Sequence, residues 1–391
     1  MNSQNTPVHI RLWHRDFWLM AVAHLLLTMS IWLLIPTMPH WLISEQGLTS
    51  LQTGLAMGAF GIGLFTFGPF VSYMVQHYRR NMVCIWSVLA LGLLHAALWY
   101  FDTEFCQFVE VSILILQRFL LGAVFGLAQM VLGSTLIIDT CESYQRTEAN
   151  HSAAWFARFA MSLGPLAGLL VQRHFDFDIV LLIAAGCACL TMVLVMMVHF
   201  PFRAPEDDIP VVSLDRFFLT QGTPLYINLL LMTVALGILL STPLQELFYA
   251  MMMLGFLAAI LAQRFAFRDA ELKSEVISGL ILIAAALLMM LTRTQQIVWF
   301  AAPFFVGMGV GLIGSRFLLF FIKLSRHCQR GTSQSTFFLG WESGIALGLG
   351  IGLMAFYGQP KVAFIVSLTL ILISLGMYQF VHNWFIHHKN R

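Results

Sequence analysis

Residues 145–169 read QRTEANHSAAWFARFAMSLGPLAGL, and residues 329–353 read QRGTSQSTFFLGWESGIALGLGIGL. Set 184 positions apart (329 − 145), Gln145-Arg146 pairs with Gln329-Arg330, Leu163-Gly164 with Leu347-Gly348, and Gly168-Leu169 with Gly352-Leu353. Six identities in 25 is a modest count. They fall on glycines and loop arginines, however, the residues that constrain backbone and topology. At matching places deep in each copy stands a strong charge among apolar residues, Arg158 in the first and Glu342 in the second. A long repeat in an apolar chain reads as two homologous halves with a site between them.

The composition agrees. The chain is 59% hydrophobic and 10% charged, whereas soluble domains carry about 25% charged residues. A bilayer core of ~30 Å needs about 20 apolar residues per crossing. Twelve such stretches can be placed: 16–37, 51–75, 82–101, 110–138, 149–172, 178–200, 223–241, 245–266, 275–292, 297–322, 333–357 and 360–383. The seventh and eighth are joined only by the tight hairpin Ser241-Thr242-Pro243-Leu244. The expected fold is an all-α integral membrane protein of two pseudo-symmetric six-helix bundles. Residues 1–200 form one bundle and 223–391 the other, and 201–222 is a polar cytoplasmic linker carrying Glu206-Asp207-Asp208.

Cationic residues settle the expected orientation, because they favour the cytoplasmic side. Fifteen group on one side, among them Arg11, Arg15, Arg79, Arg80, Arg146, Arg203, Arg216, Arg330, Lys389 and Arg391; only Arg173, Arg293 and Lys361 fall on the other. Both termini are therefore expected in the cytoplasm, in the inner membrane of a bacterium given the short loops. Trp13, Trp18, Trp41, Trp99 and Trp384 stand near span ends, as interface anchors do. The basic residues form no single patch, which argues against nucleic acid as a partner. The six cysteines (Cys84, Cys106, Cys141, Cys187, Cys189 and Cys328) make no CxxC pair, so neither a disulfide framework nor a zinc site is expected. The apolar run from Phe17 is too long for a signal-peptide core and reads as a retained first span.

Three arginines, Arg118, Arg158 and Arg316, lie inside spans. Each costs about 2.5–3.5 kcal/mol on insertion scales, so each marks a partner charge, a wet cavity or a substrate. Nine residues into span five, Arg158 is roughly 13 Å deep, and Glu342 sits at the matching depth of span eleven. Arg316 is at a similar depth in span ten, which makes an Arg316–Glu342 pair one expected arrangement, with Arg158 bonded to backbone carbonyls. In the other, these groups line a central cavity and handle a proton or a solute. His24, Arg118 and Arg158 together make the first half electropositive at depth, suiting a carboxylate or phosphate. Trp155 and Trp341, with Phe337 and Phe338, add an apolar wall. His24 and His95 read first as packing residues.

These residues resemble the major facilitator superfamily. Arg118-x-x-x-Gly122-x-x-x-Gly126 is similar to that family's span-four arginine motif. Gly164-Pro165-Leu166-Ala167-Gly168 is similar to the span-five motif of its drug:proton antiporters, and Arg330-Gly331-Thr332-Ser333 to the loop before its span eleven. One departure stands out. After Gly68 the family pattern expects Asp-Arg, and this chain has Ser72-Tyr73, with Arg79-Arg80 further on. The acid that the resemblance implies as a latch of the inward face is missing.

The glycines four apart (Gly122 and Gly126, Gly164 and Gly168, Gly348 and Gly352) permit close helix approach, and Pro165 removes a backbone donor in span five. They read as packing or as a hinge. The expected function is secondary active transport by alternating access, with proton-coupled export of a small amphipathic or anionic solute implied by the span-five motif. Uptake of an organic anion by symport or exchange is the alternative. Glu342 is the expected coupling residue. A membrane lipid-modifying enzyme, with Asp139, Glu142 and His151 as its candidate residues, leaves the repeat without a purpose. No Gly-x-x-x-x-Gly-Lys-[Ser/Thr] loop is present, so ATP is not the expected energy source. No cofactor is expected; the partners are the solute, protons and the lipid bilayer, and the chain is expected to act as a monomer.

Overall fold

In a computed structural model of the chain, the described residues are 11–101, 110–200, 210–268, 270–326 and 329–390. Arg203, Glu206, Asp207, Asp208, Cys106, Cys328 and Arg391, named above, lie outside them. Among the described residues the regular elements are all helical, the form that satisfies every backbone polar group within one segment in lipid.

Among the described residues, twelve helices are long and apolar enough to cross a bilayer: Arg15–Ser44, Ser50–His77, Arg80–Tyr100, Val111–Asp139, Arg146–His174, Phe177–Met196, Thr220–Leu240, Glu246–Phe265, Leu272–Thr292, Gln296–Leu324, Arg330–Phe356 and Pro360–His388. They are spans one to twelve below. The end at which spans two, four, six, eight and ten finish is the basic face, since Arg79, Arg80, Arg146 and Arg330 lie there.

Three spans are irregular for local reasons. Span one divides at Leu33 into Arg15–Trp32 and Leu34–Ser44. Pro36 lacks the N–H that would bond the carbonyl of Trp32, four residues back. Span two breaks at Gly68–Phe70, where Pro69 sits in a 3-10 turn. Span four widens into a π turn over Leu132–Leu136, a departure often found at functional sites. Span five, by contrast, is one helix through Pro165.

Spans one to six pack among themselves, as do seven to twelve. Between the halves the contact runs chiefly along span two with span eleven and span five with span eight. Exchanging the halves turns either pairing into the other, the mark of a two-fold interface.

The glycines repeated in the two copies do the same work. Gly164 and Gly168 lie against Trp32 and Leu33 of span one; Gly348 and Gly352 lie against Val234, Gly237 and Ile238 of span seven and Ser241 just beyond its end. A side chain at any of the four would press into the neighbouring helix. Gly122 and Gly126 likewise seat the backbone of span two at Phe60 and Leu64.

Candidate functional site: two charges across one cavity

Span five begins at Arg146 and span eleven at Arg330, so Arg158 and Glu342 are each twelve residues in. At about 1.5 Å per residue both are ~18 Å from the basic face, mid-membrane. The fold brings them to one small cavity of about 10 Å³, lined by Arg158, Met161, Phe337, Phe338, Trp341 and Glu342 among others. That is room for about one water.

Each charge is received by the opposite half. Arg158 is 2% exposed. Its Nη1 donates to Ser315 Oγ on span ten at 3.0 Å, and its guanidinium lies 4.7 Å from the centre of the Trp155 ring. Gly314 admits it, since a Cβ there would fall 2.7 Å from Arg158 Nε. Nε and Nη2 of Arg158 have no hydrogen-bond partner among the described residues. Glu342 is 5% exposed, and the polar groups nearest its carboxylate are Trp32 of span one and Gln129 of span four. The Trp32 Nε1 and Gln129 Nε2 that face it make no hydrogen bond within normal geometry among the described residues. Trp341 closes one side, its Nε1 donating to Met161 Sδ at 3.3 Å.

Arg316 is elsewhere. It forms an ion pair with Glu275 of span nine, whose other oxygen accepts from Gln263 of span eight at 2.5 Å. The expected Arg316–Glu342 pair is not formed. Successive helical residues point about 100° apart, so with Ser315 turned to span five, Arg316 faces spans eight and nine. Arg158, for its part, bonds a hydroxyl rather than the carbonyls expected in the same arrangement. The span expected over 275–292 opens on Glu275, whereas the helix starts at Leu272 and Glu275 is buried. In the sequence it stands in the charged stretch Asp269-Ala270-Glu271-Leu272-Lys273-Ser274-Glu275, where nothing sets it apart.

Arg118 does not line the cavity. It shares the face of Gly122 and Gly126, four and eight residues on, and that face packs on span two. Its guanidinium lies 5.4 Å from the Phe60 ring, close to His95. The electropositive cluster is thus divided, with Arg118 inside the first bundle and Arg158 at the interface. His24 is nearer the cavity. Its Nδ1 is 3.2 Å from the Ala153 carbonyl and its ring meets Phe338 edge-on at 5.1 Å.

On the basic face, Arg80 pairs with Asp139, Arg330 Nη1 donates to Ser143 O at 3.5 Å, and Arg146 opens span five. Arg79 is exposed, at the end of a groove along Met82 and Trp86. The helices close tightly below the cavity: Gly133 in the π turn lies against Gln334 and Phe338, and Gly331 against Ser134. On the opposite face a vestibule of about 660 Å³ opens between the halves, with Ile35, His40, Leu169, Gln172, Leu353 and Tyr357 in its wall. Leu353 is eleven residues beyond Glu342, about 16 Å along the helix. The vestibule therefore ends short of the two charges, and in this state both are shut away from either side.

Two bundles related by an internal repeat, with buried charges meeting at mid-depth, constitute a transporter architecture, and residues 20–349 match the Major Facilitator Superfamily. The chain belongs to that family. Its activity is accordingly secondary transport of a small molecule across a lipid bilayer. Solved structures share the fold. The POT family transporter PepTSo superposes with a TM-score of 0.69 at 12% identity, over 96% of this chain and 99% of that one. The human organic anion transporter MFSD10 (TETRAN) gives 0.66 at 14% identity, over 92% and 98%. A variant of the nucleoside transporter NupG gives 0.64 at 11%, over 96% and 100%. No curated protein sequence matches the chain.

Proposed function

We propose that this major facilitator protein carries a small anionic or amphipathic organic solute together with a proton. Arg158 holds the anion and Glu342 the proton, the basic face is cytoplasmic, and the membrane is the inner membrane of a bacterium. One observation carries the reading: the partnerless N–H groups of Arg158 belong to the same cavity as Glu342. An anion docked on Arg158 places a second negative charge beside Glu342. A like charge raises a carboxyl's affinity for its proton, so solute and proton are taken up as a pair and cross as a pair. Trp155, Trp341, Phe337 and Phe338 supply an apolar wall for the rest of the solute, and rocking of the halves about spans two, five, eight and eleven exposes the site to each side in turn. That MFSD10 is an organic anion transporter is in keeping with this chemistry.

A second reading is proton-coupled export, in which solute and proton take turns at Glu342. It is favoured by the span-five motif Gly164-Pro165-Leu166-Ala167-Gly168, which packs against the break in span one.

Proteoliposomes screened with organic anions under an imposed pH gradient decide between them. Accumulation along the inward proton gradient supports the first reading, and expulsion against it supports the second. Glu342→Gln is expected to abolish the pH-gradient dependence while leaving anion exchange intact. Arg158→Ala is expected to weaken anion binding by roughly 10- to 150-fold, the equivalent of ~1.5–3 kcal/mol for a hydrogen bond to a charged group. Full pH-gradient dependence in Glu342→Gln removes that residue from the coupling role.

A further inference from the structure

The polar segment between the halves does not hang free in water: its described part, from residue 210, is docked on both halves. Ser213 N–H donates to Pro69 O at 2.9 Å, at the break in span two. Leu219 N–H donates to Thr336 Oγ1 of span eleven at 2.7 Å. The Phe217 ring occupies the space that a side chain on Gly68 would fill.

Between these anchors one carboxylate touches both halves. Asp215 Oδ2 accepts from Ser72 Oγ of span two at 3.4 Å, and Oδ1 accepts from Thr332 Oγ1 of span eleven at 3.0 Å. Thr332 Oγ1 in turn accepts from the Arg216 N–H at 2.8 Å. Arg216 has φ 59°, a left-handed turn that a non-glycine residue holds only under constraint from its surroundings. Its side chain is turned into the protein. Burial holds its guanidinium below the usual arginine range, Arg80 pushes it the same way, and Asp215 and Asp139 oppose them. Arg216 pairs with Asp215 at 3.9 Å and Arg80 pairs with Asp139, so two ion pairs stand on the basic face, the side on which Gly133 and Gly331 make their close contacts.

Ser72 stands where the family pattern places an acid. Here it donates a hydrogen bond to an acid delivered from 143 residues further along the chain, so the negative charge is kept in space while it is moved in sequence. With Asp215 46% exposed, water can replace its hydrogen bonds as the halves part, which a gate requires and a permanent weld would not allow.

We propose that Asp215 is the clasp of the basic face: a positioning residue that touches no solute, holds span two to span eleven while the opposite face is open, and is released when the basic face opens. This rests on the alternating-access reading above and adds to it the residue that sets the resting state.

The test uses two reporter cysteines in a full-length protein whose native cysteines are replaced by serine. Ser335→Cys, buried on span eleven, reports the basic side, and Gln172→Cys in the vestibule reports the other. Maleimide labelling is followed in proteoliposomes without solute. Asp215→Asn is expected to speed labelling at 335 by about tenfold, the population shift from losing one charge-assisted hydrogen bond, and to slow it at 172. Asp215→Glu should stay near the parent. Adding Ser72→Asp to Asp215→Asn should return both rates toward the parent, a rescue that mere damage to the fold would not show. Unchanged rates in Asp215→Asn overturn the clasp. Gly331→Trp, which wedges the contact with Ser134, tests the underlying reading separately. A reciprocal change at the two reporters keeps alternating access standing whatever Asp215 does, and movement at neither removes it.

Discussion

The two copies of the repeat have the same backbone task and opposite chemical ones. Gly164 and Gly168 let span five lie on span one, and Gly348 and Gly352 let span eleven lie on span seven. The neighbours differ. Span one is broken at Leu33, beside those glycines, whereas span seven runs as one helix from Thr223 to Leu240. The charges differ too, since Arg158 reaches a hydroxyl on span ten while Glu342 faces an indole and an amide on spans one and four. A duplicated scaffold thus holds a cation site and an acid site at equal depth, with an interrupted neighbouring helix on one side only. Close helix packing demands identity of glycines, because only a missing side chain allows the approach. Nothing in the packing demands identity at the charge, so function was free to diverge there.

That contrast can be broken at several points. The largest effect is expected where a charge is paired within one half. Glu275→Gln leaves Arg316 without its carboxylate and should lower stability by about 3 kcal/mol, the low end for a broken buried pair, because Arg316 keeps 20% of its side chain exposed. Denaturation in detergent measures it, and Glu275→Gln with Arg316→Met should recover most of the loss. If Arg158→Ala costs as much stability as Glu275→Gln, then Arg158 is also structural and the distinction between the two sites fails.

Smaller effects are expected at the glycines. Gly348→Leu and Gly164→Leu overpack their helix contacts, at a cost of about 1–3 kcal/mol each. Gly348→Leu should be the worse, because the continuous span seven cannot yield as the broken span one can. Equal melting temperatures for the two would place the break outside any role in flexibility. The smallest change comes from healing the break itself. Pro36→Ala allows a hydrogen bond to the Trp32 carbonyl and should add about 0.5–1.5 kcal/mol, while slowing transport turnover. Faster turnover in the more stable variant would show that the break is not a hinge.

Much of this was legible before any coordinates. Counting along the helices sets Arg158 and Glu342 at one depth, and a tight hairpin is expected at Ser241-Thr242-Pro243-Leu244; the fold agrees at both. Local pattern did not foresee Glu275, because a shift of three residues at a helix start moves an acid from the first position of a span to within it. Nor did it foresee Asp215, Gln129 or Ser315, which are ordinary polar residues until a distant segment is packed against them. Arg118 was misplaced for a related reason: depth along a helix can be counted from the sequence, whereas the face a helix presents to its neighbours depends on how the bundle is assembled.

The number of crossings and the doubling of the chain were thus written in local pattern. Lipid requires each crossing to satisfy its own backbone within about 20 residues. Which charge meets which was settled by folding alone. The Arg316–Glu275 pair, the Arg158–Ser315 bond and the bridge from Ser72 through Asp215 to Thr332 join positions 41, 157 and 117 to 143 residues apart. Contacts at such separations depend on the rotation and crossing of packed helices, which no single stretch of sequence encodes.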